Sequence, residues 1–262
     1  MNGAGNDFVL LDNRSGGIRL TREQVTRICH RQRGVGADGL LLLEPSRSGE
    51  ADWAWTFFNN DGSDAAMCGN GARCFARFVQ RLTGTTEALT FETGAGVIRA
   101  RFDGPLVTVG LTPPRGLQLD IEVPLPEETL TVHSVDTGVP HAVLIVPDAS
   151  QARVQALGAA IRFHPLFAPA GTNVNFVQTL APDSIRVRTY ERGVENETLA
   201  CGTGVTASAL ICARREGFKS PVQVRVAGGD LLHVSFDERD GDFTDVRLTG
   251  PADFVFTGRM DF

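Results

Sequence analysis

The sequence predicts an α/β fold made of two similar halves, each a sheet of short strands wrapped around one central helix. First, residues 56–71 (TFFNNDGSDAAMCGNG) align without a gap with residues 189–204 (TYERGVENETLACGTG). The offset, from Cys68 to Cys201, is about half of the 262-residue chain and indicates an internal duplication. Second, short β-rich runs bounded by Gly, Pro, Asn and Asp dominate the chain. Third, an apolar helical pattern follows the Cys-Gly-x-Gly motif that ends each copy.

The duplication favours two domains over one large domain, although the length allows either. We assign residues 1–112 and 252–262 to an N-terminal half that carries Cys68. Residues 113–251 form the C-terminal half and carry Cys201. The two cysteines are therefore predicted to occupy equivalent positions in two pseudo-symmetric halves.

Strands are predicted wherever β-branched and aromatic residues are bounded by turn formers. The proline-rich segment 111–128 is predicted to be the crossing between the halves. The tail at 254–256 is strand-like and is predicted to return to the first half. The predicted strands are 8–11, 40–43, 53–58, 89–91, 97–102, 106–111, 130–135, 142–146, 173–178, 185–190, 222–226, 231–236 and 243–248.

Four helices are predicted, and two of them directly follow the repeated cysteines. Thr21 is a suitable N-cap for the first helix, whose first turn is rich in Glu and Gln. Gly84 and Gly217 are suitable C-terminal stops for the two helices that follow the cysteines. The last helix is apolar on nearly every face, which predicts burial. The predicted helices are 21–31, 70–82, 151–160 and 203–215.

Composition and charge exclude several classes of function. The net charge of −6 supplies no basic face for nucleic acid. No apolar run is long enough to span a bilayer and no signal-peptide pattern is seen, so we expect a cytoplasmic protein. The five cysteines and five histidines show no metal-ligand spacing, so no metal is predicted. Lys219 is the only lysine and lies in a turn-like segment, which argues against a pyridoxal phosphate enzyme.

The Cys-Gly-x-Gly motif places a thiol at the start of a helix. There, backbone N–H groups and the positive end of the helix dipole stabilise a thiolate, so we expect Cys68 and Cys201 to have pKa values below the usual value of about 8.5. The glycines on both sides of Asn70 and Thr203 allow a ligand close to the backbone, and the N–H groups there suit a carboxylate. The motif therefore predicts an anion site beside each thiol.

Two equivalent thiols facing one centre suit inversion at an α-carbon. Inversion requires a base on one face of the carbon and an acid on the other. A thiolate and a thiol provide both, and they exchange roles with the direction of reaction. By contrast, Cys29, Cys74 and Cys212 lack the glycine frame and are predicted to be small buried apolar residues.

Together the motifs resemble those of diaminopimelate epimerases, cofactor-independent enzymes that convert LL-diaminopimelate to the meso form. The resemblance covers nearly the whole chain and implies an α/β fold of the α+β type. Each pseudo-symmetric half would be a mixed or antiparallel sheet curled around a central helix, with the substrate in the cleft between the halves. The matching segments are Gly5-Asn6-Asp7-Phe8, Asn59 with Asp61-Gly62-Ser63, residues 68–74, Gly138 with Pro140-His141, Asn173 with Phe176, Glu191-Arg192-Gly193, and residues 201–204.

The resemblance also implies roles for individual residues. Cys68 and Cys201 would be the catalytic pair of a two-base mechanism. The distal end of diaminopimelate is a second zwitterionic group, and Arg192 and Glu191 suit its carboxylate and ammonium. The other implied contacts are the N–H groups of Gly69, Asn70, Gly202 and Thr203 to the reacting carboxylate, Asn6, Asn59 and Asn173 as neutral hydrogen-bonding partners, and His141 in a supporting role.

Two positions depart from the family pattern. The family often has glutamine where this chain has Gly39, and asparagine where it has Val139. Both departures remove a polar group. They bear on the details of substrate binding more than on the type of reaction.

Three other interpretations stay open. A proline or hydroxyproline racemase shares the paired cysteines, but its substrate has no second charged end to match Glu191 and Arg192. An amino-acid-binding protein or a thiol redox sensor would need only one such cysteine. An isomerase of the same fold with a carboxylate base would lack Cys68 and Cys201. The expected partner is a small diamino dicarboxylate, with neither nucleic acid nor membrane, and the sequence leaves undecided whether the chain forms a homodimer.

Overall fold

A computed structural model describes residues 1–260. The chain folds into two compact units, the first comprising Met1–Gly110 with the segment from Gly250 onward, and the second Leu111–Thr249. Each unit has its own strands and its own helix that begins at a Cys-Gly-x-Gly motif. The α/β fold class predicted from the sequence is confirmed. The duplication behind the two predicted halves stays a prediction.

The first unit contributes six strands up to Gly110, arranged in sequence order across its part of the sheet. The β1/β2 and β3/β4 pairs are parallel, and the remaining pairs are antiparallel. Neighbours in sequence are therefore neighbours in the sheet, as short connections favour. The strands are β1 (Phe8–Asp12), β2 (Gly39–Pro45), β3 (Trp53–Asn59), β4 (Ala88–Thr93), β5 (Gly96–Asp103) and β6 (Leu106–Gly110).

The second unit contains nine strands, although the last two residues of its final strand, Gly250 and Pro251, belong to the first unit. The order is β7-β8-β9-β10-β11-β13-β14-β15, and the short β12 pairs with β11. The β9/β10 and β11/β13 pairs are parallel, while the others are antiparallel. The strands are β7 (Arg115–Pro124), β8 (Thr129–Asp136), β9 (Pro140–Ile145), β10 (Asn173–Ala181), β11 (Ser184–Glu191), β12 (Asn196–Thr198), β13 (Val222–Arg225), β14 (Leu231–Arg239) and β15 (Asp242–Pro251).

Four α-helices are present in residues 1–260, and none of them is long and apolar enough to cross a membrane. Thr21 caps the first through a capping box with Gln24, as its sequence indicates. Gly84 and Gly217 end the second and fourth helices in the left-handed conformation, which glycine adopts without steric cost. The helices are α1 (Arg22–Cys29), α2 (Gly69–Thr83), α3 (Val154–Arg162) and α4 (Gly202–Glu216).

The helices that follow the cysteines pack on the strands of their own units. In the first unit, Phe75 of α2 lies between Trp55 and Phe91, with ring centroids 5.6 and 4.8 Å away. In the second unit, α4 contacts strands from β7 to β14 and is buried along almost its whole length. This burial explains why α4 is apolar on nearly every face. Packing of this kind fixes the position at which each helix begins.

Parts of the sequence prediction were wrong. The segment 111–128 contains the ten-residue strand β7, which was not predicted and in which Leu117, Leu119, Ile121 and Val123 alternate with polar residues. The tail at 254–256 is not a strand; the chain there makes only an isolated bridge between Asn2 and Asp253. The helix predicted at 151–160 begins at Val154, after a single 3₁₀ turn, and the short strand β12 was not predicted.

Candidate functional site

In the first unit, Cys68 is the N-cap residue of α2. Its backbone is extended (φ −148°, ψ 121°), and the Gly71 N–H donates to Cys68 Sγ at 3.5 Å. The helix itself supplies no acceptor for the N–H groups of Gly69 and Asn70, which belong to its first turn. The sulfur therefore lies at the positive end of the helix dipole, in the setting that the sequence predicted.

Asn6 lies beside this thiol. Its Oδ1 is 3.7 Å from Cys68 Sγ and 3.5 Å from Asn70 Nδ2, and both groups are able to donate to it. Its Nδ2 donates to Asp38 Oδ2 at 2.5 Å. Because a carboxylate only accepts, Asp38 fixes the orientation of the Asn6 amide with its oxygen towards the sulfur.

The Asp38 carboxylate belongs to a small charged network. Arg31 donates to Asp7 Oδ2 at 2.9 Å and to Asp38 Oδ1 at 2.7 Å. Burial raises the pKa of Asp38. At Asp7 burial acts in the same direction and is the largest single influence, but the hydrogen bonds with Arg31 and Asp38 and the charge of Arg31 together outweigh it and hold that pKa below its usual value. Arg31 thus pairs with both carboxylates, of which Asp38 orients Asn6.

The Arg73 side chain is fully buried and contacts the first turn of α2. Its guanidinium donates to Asn70 Oδ1 at 2.9 Å and to the Gly69 carbonyl at 3.3 Å. A third bond reaches the Pro251 carbonyl at 3.3 Å. The side chain thus ties the glycine-framed turn to the returning segment of the same unit.

Asn59 is exposed at the end of β3, opposite Gly39 of β2. Its Nδ2 donates to Ser63 Oγ at 3.0 Å. A Cβ added at Gly39 would lie 2.8 Å from both the Phe58 carbonyl and the Phe57 ring. The glutamine that the resemblance leads one to expect at this position therefore does not fit here unless β3 shifts.

In the second unit, Cys201 is the N-cap residue of α4 and is 7% exposed. Its side chain makes no capping bond to the helix backbone, and its Sγ lies 3.5 Å from Thr203 Oγ1. Thr137 donates to the Thr203 carbonyl at 3.0 Å. Both predicted cysteines thus occupy N-cap positions, and their sulfurs have different local partners.

A buried polar group lies against the first turn of α4. Asn175 Nδ2 is 3.1 Å from His141 Nδ1 and 3.2 Å from the Ala142 carbonyl, and Asn175 Oδ1 accepts from Thr189 Oγ1 at 2.9 Å. A Cβ at Gly204 would lie 2.3 Å from Asn175 Oδ1. The last glycine of the Cys-Gly-x-Gly motif therefore leaves space for this asparagine.

Three of the residues predicted to bind the distal end of the substrate, Asn173, Glu191 and Arg192, lie near the end of β11. Asn173 is 3% exposed, accepts from the Arg192 N–H at 2.9 Å and donates to the Pro140 carbonyl at 3.0 Å. Arg192 Nη1 donates to the Ala170 carbonyl at 2.9 Å, and Thr198 Oγ1 donates to Glu191 Oε2 at 2.8 Å. Asn173 therefore holds the backbone of Arg192 in place at the end of the strand.

The site residues that sequence reasoning missed all act through others. Asp38 orients Asn6, Arg73 holds the turn after Cys68, and Asn175 contacts His141. Asn175 did leave a signal, since it is two residues after Asn173 and so faces the same side of a buried strand. Arg73 lies within the matched segment 68–74, but its role was not predicted, and Asp38 left no signal in the sequence.

The remaining cysteines confirm the prediction that they are buried. Burial raises the pKa of Cys29 to about 11 and the pKa values of Cys74 and Cys212 to about 12. They therefore stay protonated near neutral pH. Within residues 1–260, no three His, Cys, Asp or Glu side chains are grouped as metal ligands. The chemistry available at the two caps is thiol proton transfer beside N–H groups that suit an anion.

Solved structures of other proteins have a similar fold. A phenazine biosynthesis protein of the PhzF family from Bacillus anthracis matches with a TM-score of 0.70 and 15% identity over 96% of this chain and 92% of its own. A probable proline racemase from Agrobacterium radiobacter K84 matches with a TM-score of 0.65 and 20% identity over 87% of this chain and 77% of its own. The chain therefore has the fold that these proteins share.

Sequence comparison gives the family. A family model described as diaminopimelate epimerase matches residues 1–115 and 133–255. A diaminopimelate epimerase from Aquifex aeolicus (strain VF5) is 44% identical over 99% of this chain and 96% of its own length. Another from Chlorobaculum tepidum is 42% identical over 99% of each. The chain belongs to the diaminopimelate epimerase family and is an isomerase, which confirms the resemblance seen in its motifs.

Proposed function

We propose that the protein interconverts LL-2,6-diaminopimelate and meso-diaminopimelate without a cofactor, a reaction of lysine and cell-wall precursor biosynthesis that we place in the cytoplasm. The observation that carries the proposal is that Cys68 and Cys201 each cap a helix whose first turn is framed by glycines. Membership of the family indicates the substrate, and the two N-cap cysteines indicate the type of chemistry.

The proposed mechanism uses the two thiols as one base and one acid. The thiolate of one cysteine takes the α-proton, and the thiol of the other delivers a proton to the opposite face of the same carbon. Proton balance is kept, because the reaction leaves the first cysteine as thiol and the second as thiolate. Exchange with solvent restores the starting state. The mechanism requires both sulfurs to address one α-carbon.

Negative charge develops on the reacting carboxylate when the α-proton leaves. We assign its stabilisation to the N–H groups of Gly69, Asn70, Gly202 and Thr203. Such oriented donors stabilise charge in the transition state without reorganising. This role accounts for Gly69 and Gly202, whose N–H groups are among these donors, since a side chain there would keep a ligand away from the backbone.

The distal end of the substrate is assigned to Arg192 and Glu191, with Asn6, Asn59 and Asn173 as neutral partners. Proline has no second charged end, so a racemase acting on it would not need this charged pair. The purified protein should therefore convert LL-diaminopimelate to the meso isomer in chiral analysis and leave L-proline unchanged. Inversion of proline, or no inversion of diaminopimelate by folded and reduced protein, would contradict the proposal.

Replacement of Arg192 with lysine tests the distal contact. Lysine keeps the charge but loses the fork of N–H donors that fits a carboxylate. The Arg192→Lys variant should therefore lose at least about 1.5 kcal/mol of transition-state binding, the scale of a charged hydrogen bond. Steady-state kcat/KM measures this, with Arg239→Lys as the control because Arg239 is exposed beside Asp237. Equal kcat/KM in wild type and Arg192→Lys would remove Arg192 from the site.

A further inference from the structure

His141 carries a polar atom that nothing in residues 1–260 satisfies. The side chain is 1% exposed, and its Nε2 is buried with no hydrogen-bond partner in the described part of the chain. Buried polar groups are nearly always bonded, so an orphan at a candidate site indicates a group that a ligand completes. The other ring nitrogen, Nδ1, faces Asn175 Nδ2 at 3.1 Å.

Two neighbours fix the orientation of the Asn175 amide. The Ala142 carbonyl only accepts, so the amide nitrogen must face it, at 3.2 Å. On the other side, Thr189 donates to the amide oxygen at 2.9 Å. A flipped amide would set its oxygen against the Ala142 carbonyl. The NH₂ group of Asn175 is therefore the part that faces His141.

This orientation determines where the imidazole proton lies. An NH₂ group can only donate, so His141 Nδ1 must accept and cannot carry a proton. Burial, followed by the nearby Arg192, lowers the pKa of His141 to about 3, so the ring is neutral at physiological pH. A neutral imidazole has one proton, which must then be on Nε2. Nε2, the buried ring nitrogen without a partner in the described residues, is therefore a hydrogen-bond donor.

The ring lies against the helix that Cys201 caps. A Cβ at Gly204 would be 3.3 Å from His141 Cε1, the carbon between the two ring nitrogens. The Nε2–H group is thus beside the first turn of α4, where the N–H groups of Gly202 and Thr203 also lie. A neutral donor in that setting suits an anionic oxygen.

We propose that Asn175 is a positioning residue that holds His141 in the Nε2–H form, so that His141 donates a hydrogen bond to the substrate carboxylate and does not act as a base. The inference rests on the proposed function, since it names a contact of that substrate. It assigns Asn175 a role and makes the supporting role of His141 specific. No proton is transferred to or from His141 in this account.

The tautomer is measured directly by ¹⁵N NMR of protein labelled at histidine. The His141 signals are identified by their loss in His141→Gln. We expect a protonated Nε2, an unprotonated Nδ1 and no titration between about pH 5 and 9, in contrast to an ordinary exposed histidine. A proton on Nδ1, or titration near neutral pH, would overturn the inference whether or not the protein turns over diaminopimelate.

The variant Asn175→Asp should reverse the direction of the hydrogen bond between this residue and His141 Nδ1. A carboxylate accepts, so it should draw a proton to His141 Nδ1, and the ¹⁵N signals should show that change. Asn196→Asp is the matched control, because Asn196 is exposed on β12, and its His141 signals should equal those of wild type. Unchanged His141 signals in Asn175→Asp would show that Asn175 does not set the tautomer.

Kinetics separate positioning from a merely structural role. Loss of one hydrogen-bond donor that is oriented towards charge developing in the transition state lowers kcat by about 10²-fold. We expect a fall of that order in Asn175→Asp, in Asn175→Ala and in His141→Gln, with a smaller change in KM. A variant that is destabilised yet keeps the wild-type kcat when folded would overturn the proposed donor role. If the NMR results hold but wild-type protein does not act on diaminopimelate, the proposed function fails and the tautomer assignment stands.

Discussion

Replacing either Cys68 or Cys201 with alanine should lower epimerisation of LL-diaminopimelate by about 10²- to 10⁴-fold or more, the range for a positioned proton-transfer group. Each cysteine is the N-cap residue of its helix and has its own function in the proposed mechanism, as base or as acid. Neither can take over the role of the other, because one cysteine reaches only one face of the carbon. The effect is measured as kcat and kcat/KM in both directions of the reaction.

The chain offers a matched control on each helix. Cys74 lies on α2 and Cys212 on α4, and both are buried thiols without a glycine frame. Cys74→Ala and Cys212→Ala should lose some stability, because each leaves a small cavity, but keep activity near that of wild type. Equal losses in control and cap variants would mean that the effect is structural. Full activity of folded Cys68→Ala or Cys201→Ala would rule out the two-thiol mechanism.

The second large effect is expected from Arg73→Met. Methionine approximates the length of arginine but donates no hydrogen bond, so the Gly69 carbonyl, Asn70 Oδ1 and the Pro251 carbonyl each lose a donor. Hydrogen bonds from a charged group contribute about 1.5 to 3 kcal/mol each, offset in part by relief of the buried charge. The free energy of unfolding should fall by about 3 kcal/mol or more, the lower end of what breaking buried charge networks costs.

The measurement can be confined to the first unit. Both tryptophans, Trp53 and Trp55, lie in β3, so urea unfolding followed by tryptophan fluorescence reports on that unit. Arg81→Met on the same helix is the control, since Arg81 is exposed and stacks on Phe254 at 4.4 Å. It should cost no more than about 1 kcal/mol. Similar midpoints for wild type and Arg73→Met would show that Arg73 does not hold the turn.

Local chemistry explains what the sequence could predict. Thr21 with Gln24 forms a capping box, and Gly84 and Gly217 end their helices because glycine tolerates a positive φ. These signals act over a few residues and are visible without a structure. The apolar pattern of α4 likewise predicts its burial. The two helices that carry the site were therefore predicted in the right place.

The errors came from weighing one signal against another. The prolines of segment 111–128 lie before β7, at its last residue and just beyond it. At these positions they do not interrupt the hydrogen bonding of the strand. The apolar and polar residues that alternate between them are the signal that predicts a strand. In the tail, Phe254-Val255-Phe256 has strand composition but no partner strand among residues 1–260, and Val255 and Phe256 are 64% and 63% exposed. Composition alone does not supply the neighbour that a strand needs.

The supporting residues of the site could not be predicted because they depend on long-range contacts. Asn6 meets Asp38 across 32 residues, and Arg73 meets Pro251 across 178. The Asn175 contact with His141 depends on the pairing of β9 with β10. Nothing in a single sequence specifies such pairs. The Cys-Gly-x-Gly residues were predicted because the sequence repeats them, and the other site residues were predicted because they match the motifs of the family.

The most direct test of two-base inversion is solvent isotope labelling. LL-diaminopimelate is incubated with the enzyme in deuterated water, and both isomers are isolated at low conversion and analysed for deuterium. The account predicts that the product acquires deuterium well before the recovered substrate does, because the acid on the far face carries a solvent-derived deuteron. Equal early labelling of substrate and product would instead indicate a single base and contradict the roles assigned to Cys68 and Cys201.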